Sequence, residues 1–236
     1  MKIVGVLGGF GPETTAEFYV SIVEKNRSFS GSHPNILIHN SPVPFGLEED
    51  AVKNGRNLNK FLPILFDSVK IIQNKVDFIV LPCNTLHIFI EDLRKISKKP
   101  VLSIIEEIAV EVKQRSLKKV GLLATLKTFK ERIYDTKLHE NGIEVVKPSD
   151  SDMIRLSQII HLILQGVKSD NLKTELIAIT NGLKQNGAEA VILGCTDLQL
   201  LLKQSDSSLP LIDTMDVLAN STVKLINETE GKNARR

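Results

Sequence analysis

Two short apolar runs, each closed by a turn residue and then a cysteine, constrain this chain more than anything else in it. They are Phe78-Ile79-Val80-Leu81-Pro82-Cys83-Asn84-Thr85 and Ala190-Val191-Ile192-Leu193-Gly194-Cys195-Thr196. Runs this short, rich in Val and Ile and bounded by Pro or Gly, predict strands buried on both faces, as in a parallel sheet covered by helices. Each thiol then falls at the C-terminal end of a strand. Open α/β sheets gather their loops and helix N-termini at that edge and bind ligands there.

The plan repeats along the chain. Lys119-Val120-Gly121-Leu122-Leu123-Ala124-Thr125 overlays Ile3-Val4-Gly5-Val6-Leu7-Gly8-Gly9 at nearly the offset that separates the two cysteines. Two half-chains of one plan are expected, each a mostly parallel sheet flanked by helices. The first strand runs into Gly8-Gly9-Phe10-Gly11-Pro12-Glu13, where glycines allow a tight turn and Pro12 suits a helix start. That helix is expected to reach about Lys25 with Tyr19, Ile22 and Val23 inward. A second strand at 35–39 is followed by a loop over 40–56, read as a lid or a disordered tip. Leu58, Phe61, Leu62, Leu65, Val69 and Ile72 recur at helical spacing, with Pro63 a kink or a first-turn residue. A helix over 85–95 should follow Cys83, then a strand at 100–104. The second half predicts helices near 129–139, 153–164 and 172–186, strands at 143–146 and 210–213, and a last helix at 217–226. That last helix is placed back on the first half, so the expected domains are 1–100 with 211–236, and 101–210. The polar end, 230–236, is expected to fray.

Composition excludes several classes. With 236 residues, 42% hydrophobic, 25% charged and a net charge of +2, the chain is an ordinary globular one without a basic stripe for nucleic acid. No run approaches the length of a membrane span, and no leader is evident after Met1-Lys2. A cytoplasmic protein with two free thiols is the expectation.

A dinucleotide site fits poorly, because Thr14 stands where the third glycine of the fingerprint belongs and the second strand ends in His39-Asn40 without an acid. Metal-ligand spacing is absent as well. The remaining chemistry is a thiolate and a thiol acting as base and acid on opposite faces of one carbon. A free thiol titrates near about 8.5, and helix N-termini are expected to draw it towards about 7. Backbone N–H groups and the hydroxyls of Thr14, Thr85, Thr125, Thr128 and Thr196 are candidates to stabilise the carbanion, although each Thr is equally suited to cap a helix.

Gly8-Gly9-Phe10-Gly11-Pro12-Glu13-Thr14-Thr15, Pro82-Cys83-Asn84-Thr85-Leu86-His87, Leu123-Ala124-Thr125 with Thr128, and Gly194-Cys195-Thr196-Asp197-Leu198 together resemble the aspartate/glutamate racemase family, its aspartate branch above all. The resemblance spans nearly the whole chain. It implies a cofactor-independent racemase of two α/β domains, a substrate site in the cleft between them, and a homodimer. It makes Cys83 and Cys195 the two catalytic bases and has Asn84, Thr85 and Thr196 bind the α-carboxylate or amino group; Gly11, Thr14, Thr125 and Thr128 are further expected substrate contacts, and no metal is expected. Asp197 stands where the family often has Glu, and His87 is read as structural or functional. The family's side-chain-binding Arg is missing from Val43-Pro44-Phe45-Gly46-Leu47-Glu48-Glu49-Asp50, so Arg56 or Lys53, with Lys168, is expected to hold the substrate carboxylate. Acidic amino acids, aspartate first, are the expected substrates. The alternatives are another substrate on the same fold (a neutral amino acid, a hydantoin, a maleate-like diacid) and a non-catalytic carboxylate-binding protein.

Overall fold

Strands β1 (Ile3–Gly8), β2 (Asn35–Asn40), β3 (Phe78–Val80) and β4 (Val101–Leu102) form one sheet in the order β2-β1-β3-β4. Strands β5 (Lys119–Leu123), β6 (Glu144–Val146), β7 (Ala190–Leu193) and β8 (Leu211–Asp213) form another in the order β6-β5-β7-β8. Every pairing is parallel. The computed structural model that shows this describes residues 1–228, with backbone alone for 52–54. The expectations for 230–236 and for the Lys53 side chain lie outside the described residues. In each sheet the chain moves outward one way from its first strand and the other way from its third. The crevice between those two central strands is where such sheets bind ligands.

The helices are α1 (Pro12–Ser30), α2 (Phe45–Asn54), α3 (Phe61–Ile72), α4 (Ile90–Ile96), α5 (Ile104–Gln114), α6 (Leu126–Lys130), α7 (Ile133–Glu140), α8 (Asp150–Leu164), α9 (Asp170–Gln185) and α10 (Thr214–Asn227). Side-chain caps start several of them. Ser103, Ser149 and Ser169 accept from backbone N–H groups of α5, α8 and α9, and Asp213 accepts from Met215 and Asp216 of α10.

The two lobes exchange helices. After β4 the chain enters α5, which packs on α7 of the second lobe and on α10; after β8 it enters α10, which packs back on α1 of the first lobe. One continuous core runs from Val4, Val6, Phe78 and Val80 of the first sheet, through Ile104, Ile108 and Val112 of α5 and Leu218 of α10, to Val120, Leu122 and Ile192 of the second. The other face of the first sheet has its own core, around Leu7, Leu65, Val69, Ile79 and Leu81.

Several expectations need correction. The domain boundaries before 101 and 211 cut off the fourth strand of each sheet: β4 pairs with β3 in the first, and β8 with β7 in the second. The crossings follow those strands. The stretch over 40–56 is not a loop throughout, because α2 occupies its centre, entered from Pro44 and closed by Gly55 at φ 62°. Pro before a helix and Gly after it is the asymmetry that marks helix ends, and it was visible in the sequence. Pro63 sits in the first turn of α3, where it costs no helical hydrogen bond. On α1 the buried residues are Thr14, Thr15, Phe18, Ile22 and Asn26, whereas Tyr19 is exposed. The segment after Cys83 is a 3₁₀ turn, Thr85–Phe89, before α4 begins. The helix expected over 129–139 is two, α6 and α7, broken at Arg132 with φ 53°. Helix α5 had no counterpart among the expected elements.

Gly9 fixes the turn that leads from β1 to the site. It has φ 87°, and a Cβ built on it would lie 2.3 Å from the Ser41 carbonyl oxygen and 2.6 Å from the Ser41 nitrogen. Ser41 itself donates from its N–H to the Gly8 carbonyl, so the two loops are locked edge to edge. Gly9→Ala is therefore expected to lower stability by about 3 kcal/mol or more, from left-handed strain and a backbone clash together. Gly11→Ala, where φ is also positive but the nearest atom to the new Cβ is Thr14 Oγ1 at 3.5 Å, should cost only about 1–2 kcal/mol. Urea unfolding of the two variants checks the ranking, and equal losses would contradict it.

Candidate active site

Both cysteines follow the third strand of their sheet. Pro82 separates Cys83 from the β3 run, and Gly194 separates Cys195 from β7. Gly194 leaves no room for a side chain, since a Cβ there would stand 2.9 Å from Leu122 Cδ1. The turn at Cys195 thus packs directly on β5. Both thiols are free and partly accessible.

The lobes meet across the cleft through threonines. Thr14 Oγ1 of the first lobe lies 3.4 Å from Thr196 Oγ1 of the second, and Thr85 Oγ1 lies 3.5 Å from Thr125 Oγ1. The contacts are crosswise: in each, a threonine one or two residues past one lobe's cysteine meets a threonine on the segment that follows the other lobe's first strand, Thr14 in the first turn of α1 and Thr125 as the cap of α6. Thr125 also caps α6 by accepting from the Thr128 N–H, and its hydroxyl lies 3.1 Å from Thr128 Oγ1. Thr125 and Thr128 are buried, while Thr85 and Thr196 remain partly open. Of the residues expected to hold substrate, Gly11, Thr14, Asn84, Thr85, Thr125, Thr128 and Thr196 thus stand on the turns and helix starts that follow the first and third strands of the two sheets.

Asn84 is buried and already engaged. Its Nδ2 donates to Thr214 Oγ1 at 3.0 Å, its Oδ1 accepts from the Tyr134 hydroxyl, and Thr214 Oγ1 donates onward to the Leu193 carbonyl at 3.0 Å. Each end of the amide keeps one further hydrogen-bonding position. Tyr134 and Thr214, which sequence reasoning missed, hold the Cys83 loop against the second sheet. A fully buried tyrosine ahead of any visible motif carries no local signal of that role.

His87 holds the same loop from the other side. The Ile104 N–H donates to Nε2 at 3.0 Å, so the proton is on Nδ1, which donates to the Cys83 carbonyl at 2.7 Å. Burial pushes its pKa down to about 4, and the ring is neutral. It acts on Cys83 through the backbone, which makes it a positioning residue.

The electrostatics are the reverse of the expected activation. Backbone N–H groups of Leu86 and Thr85 do favour a Cys83 thiolate, but burial outweighs them, and Glu48 and Asp197 add to the rise, pushing the thiol up to about 12. Cys195 also lies well above its ordinary value, first through burial and then through Asp197 and Cys83. Its Sγ donates to Asp197 Oδ2 at 3.6 Å. Asp197 and Glu48 are themselves raised, mainly by burial. Protonated thiols are the resting state.

Arg56 and Lys168 are not brought to the thiols as buried partners. Both side chains are exposed, Arg56 just past Gly55 and Lys168 in the turn between α8 and α9. Glu48 on α2 is the charged residue that reaches the site instead, with Oε1 3.9 Å from where a Gly11 Cβ would stand. Its position was legible only once α2 is a helix. Among the described residues, no cluster of three or more His, Cys, Asp or Glu is arranged to hold a metal, and no helix is long and apolar enough to cross a membrane.

Known proteins are similar to this chain in sequence and fold. The broad specificity amino-acid racemase RacX of Bacillus subtilis (strain 168) is 29% identical over 233 residues, covering 94% of this chain and 96% of that protein. An aspartate racemase homologue from Pyrococcus horikoshii OT3 superposes with a TM-score of 0.81 at 29% identity, covering 97% of this chain and 100% of that one. The aspartate racemase of Picrophilus torridus gives a TM-score of 0.76 at 25% identity, over 96% and 94% of the two chains. The family model described as Asp/Glu/Hydantoin racemase matches residues 7–222, and with both lobes inside that span the chain belongs to the Asp/Glu/hydantoin racemase family.

Proposed function

We propose that this protein is a cofactor-independent amino-acid racemase in which Cys83 and Cys195 work as a base and acid pair at Cα. The observation that carries the reading is the crosswise threonine contact. It ties the loop of each cysteine to the opposing lobe, as a pair of thiols working on one substrate from two lobes requires. One sulfur, as thiolate, takes the Cα proton; the other, as thiol, returns a proton to the opposite face. Asp197, which accepts from Cys195, polarises that thiol. The hydroxyls of Thr14, Thr85, Thr125, Thr128 and Thr196, the amide of Asn84 and the backbone beside Gly11 would hold the α-amino and α-carboxylate groups and stabilise the enediolate, the larger share of the barrier.

The resting pKa values set a condition on this chemistry. A thiol at about 12 is scarcely ionised at neutral pH. A bound α-ammonium placed beside Asp197 and the thiols opposes the field that raises them, so substrate itself promotes the thiolate. The family resemblance also implies a homodimer, which light scattering would read directly.

The test is solvent exchange. In deuterium oxide, single L-amino acids should gain Cα deuterium while their optical rotation decays, without added cofactor. Ligand-induced thermal stabilisation with neither exchange nor loss of rotation would replace this reading with that of a binding protein.

A further inference from the structure

Given that racemase reading, the geometry points to Glu48 as the residue that selects the substrate's side chain, favouring one that ends in a cation, an amine or a guanidinium, over one that ends in a carboxylate. Glu48 lies on α2, which leaves the first lobe and packs on α8 of the second, where Gln165 Nε2 donates to Glu49 Oε1 at 3.4 Å. The helix spans the cleft mouth. Its Glu48 carboxylate reaches the Gly11 turn, and it is close enough to Cys83 to raise that thiol and to Asp197 to be raised by it.

Among the described residues neither Glu48 nor Asp197 forms an ion pair. The Gly11 backbone hydrogen-bonds Glu48, and the Cys195 thiol donates to Asp197. Glu13 and Glu17 add charge of the same sign nearby. Arg56 and Lys168, the basic side chains expected to neutralise an acidic substrate, are exposed at the ends of α2 and α8. Among the described residues, a half-buried carboxylate without a cation is left for the ligand to satisfy. Adding a third carboxylate from aspartate would repel Glu48, whereas an amine would pair with it and ease ionisation of Cys83 as well.

The experiment compares L-lysine, L-ornithine, L-alanine and L-aspartate by chiral chromatography and Cα deuterium exchange, in the wild type and in Glu48→Gln and Glu48→Arg. Gln keeps an oxygen that can accept from the Gly11 backbone, so the fold should tolerate it. The wild type is expected to process lysine and ornithine with kcat/KM about 10-fold or more above aspartate. Glu48→Gln should lower the two basic substrates by about 10- to 100-fold, and by at least about tenfold more than alanine. Glu48→Arg should reverse the order of aspartate and lysine. A wild type that prefers aspartate, or a Gln variant that slows all four alike, overturns the assignment. Exchange with alanine or aspartate but none with the basic pair sinks it and leaves the racemase standing, and exchange with none of the four sinks both.

Discussion

Cys83→Ser and Cys195→Ser are each expected to stop racemisation in both directions, lowering kcat by at least about 10³-fold, because groups that act as a unit lose nearly everything when either is removed. Serine keeps the size and the turn but is far less acidic than even a raised thiol, so almost no alkoxide forms to take the proton. What survives should differ between the two. A variant with one thiol left can still take and return the Cα proton on one face, so deuterium should enter one enantiomer without inversion, and the opposite enantiomer in the other variant. The wild-type kcat/KM should also climb with pH across about 7 to 10 instead of levelling near a free thiol's 8.5, since that profile reports groups of the free enzyme. In that enzyme burial and the neighbouring carboxylates hold Cys83 at about 12. Racemisation within tenfold of wild type in either variant would remove the pair from the mechanism.

How far the sequence carries is clear at these same residues. Strands β1, β3, β5 and β7 were legible because they are central, buried on both faces and therefore continuous apolar runs. The strand ends located both cysteines and the threonines beside them. The exchange was only half legible: the last helix was expected back on the first lobe, whereas α5 was not expected as an element, and nothing local tells which lobe its apolar face would cover. Ile104, Ile108 and Val112 read alike whether they face β4 or α7. The pKa direction was misjudged for a related reason: N–H groups near a thiol follow from the local turn, whereas burial depends on the other lobe. Glu48 was visible as an acidic residue in a presumed loop, and its meaning depends on α2 reaching across to α8.

His87 carries the second large effect, on stability. Its ring joins the Cys83 carbonyl to the Ile104 N–H, the first amide of α5, and is fully enclosed. His87→Gln is expected to leave at least one of those buried groups without a partner and to lower stability at pH 7 by about 3 kcal/mol. Acid should produce a matching loss in the wild type. The folded ring titrates at about 4 against an ordinary 6.5. As pH falls through 6.5 the unfolded chain takes up a proton that the folded chain refuses, so the unfolded state binds more protons and stability drops. The drop runs from about 6.5 down to about 4 and amounts to roughly 3 kcal/mol, the free energy of that shift. Below it the folded ring is protonated too, and this contribution stays flat. Glu48 and Asp197, raised in the folded state, work in the opposite sense on acidification, but they are present in both proteins and cancel in a comparison. Urea unfolding of wild type and His87→Gln at pH 7, 6, 5 and 4 should therefore show a gap that narrows towards zero as the solution is acidified. A gap of constant size would mean that the imidazole fills space without holding the Cys83 loop through its neutral tautomer.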